Sequence, residues 1–148
     1  MSSPSITDSH CHLDFADFNE NLNETVENAL RSGVSRMVTI CTRLKDEPNV
    51  RSIAEKFESV LYAAGTHPMN AHKEPMINVA HLLEMSKHPK FVGIGETGLD
   101  YYYTKETEQY QKKSLLLHVE AAQRSGLPLI IHARSADKDI ADILESEY

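Results

Sequence analysis

The sequence is poor in cysteine, short of positive charge and without a long apolar run. Its two cysteines, Cys11 and Cys41, are too few for a disulfide framework, which excludes the stapled, loop-rich class of small secreted domains. There are 15 Lys and Arg against 22 Asp and Glu, for a formal net charge of −7. Proteins that grip long nucleic acids through many phosphates are ordinarily basic. This balance argues against that kind of grip, and a phosphate-bearing ligand would have to meet local positive charge, most simply a bound metal. No stretch is apolar enough to span a membrane, and Met1 to Thr7 is short and polar, unlike a secretory leader. A cytoplasmic location with no membrane partner is therefore expected. No repeat, low-complexity tract or linker divides the 148 residues, so one domain spanning 1–148, with a real core, is expected.

What is present is an alternation of short apolar runs with longer amphipathic stretches. Strands are predicted at Ile6–His12, Arg36–Cys41, Val60–Gly65, Phe91–Glu96 and Leu129–His132. Between them, apolar residues recur at helical spacing: Leu22, Val26, Ala29 and Leu30; Val50, Ile53, Ala54 and Phe57; Val79, Leu82 and Leu83; Tyr110, Leu117 and Ala121; then Ile140, Ile143 and Leu144. Gly33 and Gly126 stand where the first and fourth helices should stop. Five βα units in a row imply an α/β fold with a parallel sheet and right-handed crossovers.

Residues with ligand chemistry cluster at strand ends. Asp8-Ser9-His10-Cys11-His12 puts Asp8, His10 and His12 on one face of a strand, where two imidazoles can share a metal and Asp8 can orient one of them. Cys11 faces the other way, as a small buried residue. Glu96 ends the fourth strand within Gly93-Ile94-Gly95-Glu96-Thr97-Gly98-Leu99-Asp100, and His132 ends the fifth, with Arg134 two residues on. Gly65-Thr66-His67-Pro68 ends the third. A carboxylate emerging from an apolar strand face needs a partner or a cation. Open sheets gather a site at one switch point, whereas barrels collect residues from several strand ends. The distribution over strands one, three, four and five favours a (β/α)8 TIM barrel, of which about the first five βα units are present. A complete barrel needs about 250 residues, so the chain reads as a truncated barrel, incomplete at its C-terminus, with open edges at its first and fifth strands.

Four segments, 8–14, 65–68, 93–102 and 132–134, resemble in order and spacing the signature segments of the TatD family of metal-dependent deoxyribonucleases, which are TIM barrels of the amidohydrolase-like group. The resemblance implies a two-metal phosphodiesterase site. His10 and His12 would bind the first ion, Glu96 would bridge both and serve in catalysis, and His132 would bind the second. Arg134 could fork onto a phosphate oxygen and His67 could donate to the same phosphate. The implied cofactors are two divalent ions, Mg, Mn or Zn, and the implied substrate is DNA, cut exonucleolytically. The family pattern also takes a histidine from strand six and an aspartate from strand eight, which this sequence does not contain. A truncated non-catalytic fragment, and an amidohydrolase-like enzyme for another ester or amide, stand as alternatives. His72, His81, His88 and His118 are expected to be solvated or to lie on helix faces. Of Tyr101, Tyr102 and Tyr103, at least one should pack the loop and another is available to a nucleobase. Glu106 and Glu108 read as the acidic bias of a helix start.

Overall fold

A computed structural model describes residues 5–147. Five strands, β1 (Ile6–Cys11), β2 (Val34–Cys41), β3 (Val60–Ala64), β4 (Phe91–Asp100) and β5 (Leu129–Arg134), form one sheet in the order β1-β2-β3-β4-β5. Every neighbouring pair is parallel. Helices α1 (Leu22–Arg31), α2 (Glu47–Lys56), α3 (Val79–Met85), α4 (Glu108–Ser125) and α5 (Asp137–Glu147) alternate with the strands. The sheet curls into a half-barrel, the first part of a TIM-like fold. Among the described residues, β1 and β5 each lack a neighbour on one side, and nearly all of β1 is exposed.

The helices bury the stripes their spacing predicts, with two corrections. On α1, Val26 is buried and Leu22 and Ala29 pack against the core, but Leu30 is exposed. On α4 the expected Ala121 is buried and Leu117 packs against the core, but the buried face also runs through Gln111, Leu115, His118, Val119 and Ala122, and Tyr110 is exposed. The polar Gln111 and His118 hid that face from a reading based on apolar spacing. Gly33 follows α1 with φ 94°, and Gly126 caps α4 in the left-handed region with φ 71°, conformations that cost glycine nothing. Asn78 caps α3, its side chain accepting from the Ala80 N–H at 2.9 Å.

Four strand boundaries differ from the periodic pattern at the C-terminal side. β4 runs on to Asp100 and β5 to Arg134, while β1 stops at Cys11 and β3 at Ala64. The extensions follow from pairing: β4 and β5 stay in register through Gly98↔His132 and Asp100↔Arg134. A side chain at Gly98, where φ is 143°, would strike the His132 carbonyl oxygen, so only glycine allows the two strands to stay paired there.

His118, expected to be solvated or on a helix face, lies on the buried face of α4. Its Nδ1 donates to the Ser114 carbonyl at 2.8 Å and its Nε2 accepts from the Thr66 N–H at 3.0 Å, so the neutral ring is fully satisfied. His72 and His81 are exposed as expected. His88 is half-buried, with Nε2 3.1 Å from Glu55 Oε1. Burial pushes the His118 imidazole down to about 4, from 6.5. Between those values the unfolded chain binds a proton that the folded chain refuses, so folding is weakened as pH falls from 6.5 towards 4. This effect should remove about 2 kcal/mol by pH 5. His118→Gln, whose amide oxygen can still accept from Thr66, should show a shallower loss of urea-unfolding free energy between pH 7 and pH 5 than the wild type. An identical pH slope in the two proteins would contradict the assignment.

Candidate metal centre

The C-terminal ends of the strands bring four imidazoles around one carboxylate. Glu96 is almost fully buried. Its Oε2 lies 3.3 Å from His10 Nε2 and 3.9 Å from His12 Nε2. Its Oε1 lies 3.3 Å from His132 Nδ1 and 3.8 Å from His67 Nε2. Each oxygen therefore faces one pair of rings. The candidate ligand atoms of His10, His12 and Glu96 lie within 4.8 Å of one another, as do those of His67, Glu96 and His132.

Two irregularities in strand pairing aim these side chains. Asp8 pairs with Met37 but Cys11 with Thr39, so β1 carries an extra residue around Ser9 and His10. Ile94 pairs with Leu129 but Thr97 with Ile131, so β4 carries one at Gly95–Glu96. Extra residues of this kind bend a strand and re-aim its side chains. The first corrects the expected role of Asp8: its Oδ1 accepts the His10 backbone N–H at 3.1 Å, holding the irregular strand rather than an imidazole. His12, just past the end of β1, is oriented by the Ile40 carbonyl, to which its Nδ1 donates at 2.9 Å. That hydrogen bond leaves the lone pair of the neutral ring on Nε2, directed at Glu96. The ring stacks on Phe15 at 4.6 Å.

Asp100 is the residue that sequence reasoning passed over. It is fully buried, and its Oδ2 accepts from His132 Nε2 at 3.0 Å while its Oδ1 accepts from the Tyr102 and Tyr103 N–H groups at 3.1 and 2.8 Å. A carboxylate on the far nitrogen of a histidine fixes the tautomer and presents the other nitrogen as a ligand. The available signal was Asp100 lying four residues after Glu96 in a run that, Thr97 apart, is otherwise apolar or glycine. Gln111 supports the same segment, its Oε1 accepting from the Asp100 N–H at 2.7 Å and its Nε2 donating to the Thr104 carbonyl at 2.7 Å.

The electrostatics favour a cation. Burial pushes the Glu96 carboxyl up, but the contact with His132 and the neighbouring imidazoles outweigh it and hold the group below its usual range. Asp100 is likewise held low against the burial that would raise it, chiefly by the Tyr103 N–H and by His132. The same contacts, first that with Glu96, raise His132. His67 is pushed down to about 4 by burial and by the neighbouring His132. Near neutral pH the two carboxylates are ionised and His67 is neutral. His67 Nδ1 accepts the Met69 N–H at 3.2 Å, so its ring proton sits on Nε2, 3.1 Å from His132 Nδ1. With that tautomer His67 is a donor facing the centre. Membership of the ligand set would require the Met69 hydrogen bond to break.

Of the other residues singled out, Arg134 is exposed and stacks on two tyrosines rather than lying at Glu96. Tyr101 packs the loop, its hydroxyl donating to Asp139 at 2.7 Å. Glu108 opens α4 and pairs with Lys112 at 2.6 Å. Burial pushes the Cys11 and Cys41 thiols up to about 12, so neither supplies a thiolate at neutral pH. The donor set is therefore imidazole and carboxylate. It fits divalent ions without selecting one sharply, and the buried ionised Glu96 between two pairs of rings is the observation on which that fit rests.

Comparison with known proteins gives a consistent picture. A family model described as TatD related DNase matches residues 7–148. The Escherichia coli K12 protein described as uncharacterized metal-dependent hydrolase YcfH is 35% identical over 96% of this chain and 54% of its own length. The Mycobacterium tuberculosis protein described as uncharacterized metal-dependent hydrolase TatD is 32% identical over 96% of this chain and 56% of its own. The crystal structure of YjjV, a TatD homologue from Escherichia coli K12, superposes with a TM-score of 0.88 at 26% identity, over 95% of this chain and 55% of that one. The chain spans about half the length of the relatives it matches. No helix among the described residues is long and apolar enough to cross a membrane.

The Asp100 arrangement makes a sharp prediction for Asp100→Asn. Two backbone N–H groups converge on Oδ1, so the amide oxygen must stay there and the NH2 must face His132 Nε2. That forces the ring proton onto Nδ1, the atom facing Glu96. Mn²⁺ affinity measured by calorimetry at pH 8 should fall by about 10–100-fold, with the urea midpoint little changed. Unaltered affinity would show that His132 Nδ1 is not a ligand.

Proposed function

Since the chain belongs to the TatD related DNase family, we propose that it supplies the first metal-binding part of a divalent-metal-dependent hydrolase that cuts DNA phosphodiesters from strand ends. The observation that carries this reading is the ionised, buried Glu96 with an imidazole pair at each oxygen. His10 and His12 would hold one ion, His132 the other, and Glu96 would touch both. Two bound divalent ions would supply a nucleophilic water at neutral pH and stabilise charge on the reacting phosphoryl oxygens.

The chain's own residues account for binding and orientation. Asp100 keeps the His132 proton on Nε2 and so keeps Nδ1 free. The Ile40 carbonyl does the equivalent for His12 through the opposite nitrogen. His67, neutral with its proton on Nε2, donates a hydrogen bond to a non-bridging phosphate oxygen without adding charge. Arg134 offers a planar fork to a neighbouring phosphate of the strand. The net charge of −7 fits brief capture of an end better than a long grip on a duplex.

The test is a substrate panel with the protein produced from its natural gene: a DNA oligonucleotide, a phosphomonoester and an amide, each with Mg²⁺, Mn²⁺ or Zn²⁺ and with chelator. Stepwise release of nucleotides from the oligonucleotide, abolished by chelator and reduced at least about 100-fold by Glu96→Gln, is the expected result. Turnover of the amide or phosphomonoester with no attack on DNA would replace this reading by the amidohydrolase-like one.

A further inference from the structure

Beside the metal centre stands a cluster that neither the ion ligands nor the core explains. The Arg134 guanidinium carbon lies 4.6 Å from the centroids of both the Tyr102 and Tyr103 rings, and the two rings meet edge to face at 4.6 Å. Tyr102 remains 64% exposed and Tyr103 53%. Large aromatic side chains left this open on a loop tip do little for folding, whereas Tyr101 beside them is tied down through Asp139. The cluster is also firmly referenced to the site. One oxygen of Asp100 holds the backbones of Tyr102 and Tyr103 while the other holds His132, and the Tyr101 N–H donates to the Arg134 carbonyl at 2.9 Å. A single carboxylate thus fixes the distance between the aromatic pair and a candidate metal ligand.

Building on the reading of the site as a nuclease centre, we propose that Tyr102, Tyr103 and Arg134 form a nucleotide-holding notch. In it the guanidinium takes a backbone phosphate and an exposed tyrosine ring stacks on an unpaired base of the same strand. The chemistry matches the parts. A guanidinium already lying on aromatic faces is pre-oriented, so little freedom is lost when its free edge meets a phosphate. Stacking is available to any base but only once that base is unpaired, which directs the centre towards frayed or single-stranded ends. The notch also supplies local positive charge that the chain as a whole lacks.

Fluorescence anisotropy in the presence of chelator, where nothing is cleaved, tests this with three proteins and two ligands. The proteins are the wild type, Tyr102→Ala/Tyr103→Ala and Tyr102→Phe/Tyr103→Phe. The ligands are a short single-stranded DNA and the same strand with abasic residues at its ends. The wild type should bind the abasic strand about 5–150-fold more weakly, the equivalent of one stacked base. The alanine variant should bind both strands as weakly as the wild type binds the abasic one, and the phenylalanine variant should retain the preference because it keeps the rings. Equal binding of the two strands by a wild type that still degrades DNA would overturn the notch and leave the nuclease reading standing. A wild type that neither binds nor degrades either strand would overturn both.

Discussion

The structure turns on a buried carboxylate that cannot be where it is without partners. Glu96 is buried on β4 and held ionised, and an unpaired buried carboxylate would cost several kcal/mol. The four imidazoles around it are the compensation, and they arrive from β1, from the turn after β3 and from β5. Bringing them there demands closer backbone approaches than ordinary strands make. A side chain at Gly65 would lie 2.6 Å from the Gly95 Cα, so β3 and β4 meet backbone to backbone just below Glu96. Gly98 plays the same part between β4 and β5. Glycine at these points is a packing requirement of the site, imposed by the need to cluster imidazoles around a carboxylate at one end of a sheet.

Helix α4 is the scaffold that makes the cluster stiff. Two of its buried polar residues reach the two loops that flank Glu96. Gln111 clasps the Asp100–Thr104 segment, and His118 holds the Thr66 N–H next to His67. Both are fully buried and hydrogen-bonded, a combination that fixes geometry because any displacement leaves a polar group unsatisfied. Asp100 then connects the metal-facing side of the centre to the tyrosine loop. The tyrosine loop and the candidate ligands are thereby built on one rigid unit, as a site requiring sub-ångström placement needs.

The architecture was legible because it rests on period and order. Five apolar runs alternating with helical stripes dictate a parallel sheet, and ligand-type residues at four strand ends favour a barrel over an open sheet. The grouping of His10, His12, Glu96 and His132 was legible for the same reason. What strict alternation could not supply were the extra residues in β1 and β4, which detach a side chain's direction from its parity and gave Asp8 a backbone role instead of an imidazole to orient. Gln111 and His118 escaped because a polar residue on a buried helix face carries no apolar signal; their partners are backbone groups outside the helix. Asp100 was visible as a residue, but its partners come from β5 and from its own loop, and only the fold joins them.

The central claim is that Glu96 is the shared carboxylate of a divalent metal centre. Anomalous diffraction at the manganese edge, from crystals grown with Mn²⁺, addresses it most directly. The account predicts an anomalous peak within about 2.0–2.3 Å of a Glu96 oxygen, flanked by His10 and His12 or by His132, with Asp100 beyond His132 and outside ligand distance. Peaks confined to surface carboxylates, with Glu96 bonded only to imidazoles, would contradict it and leave the cluster as a buried network of hydrogen bonds.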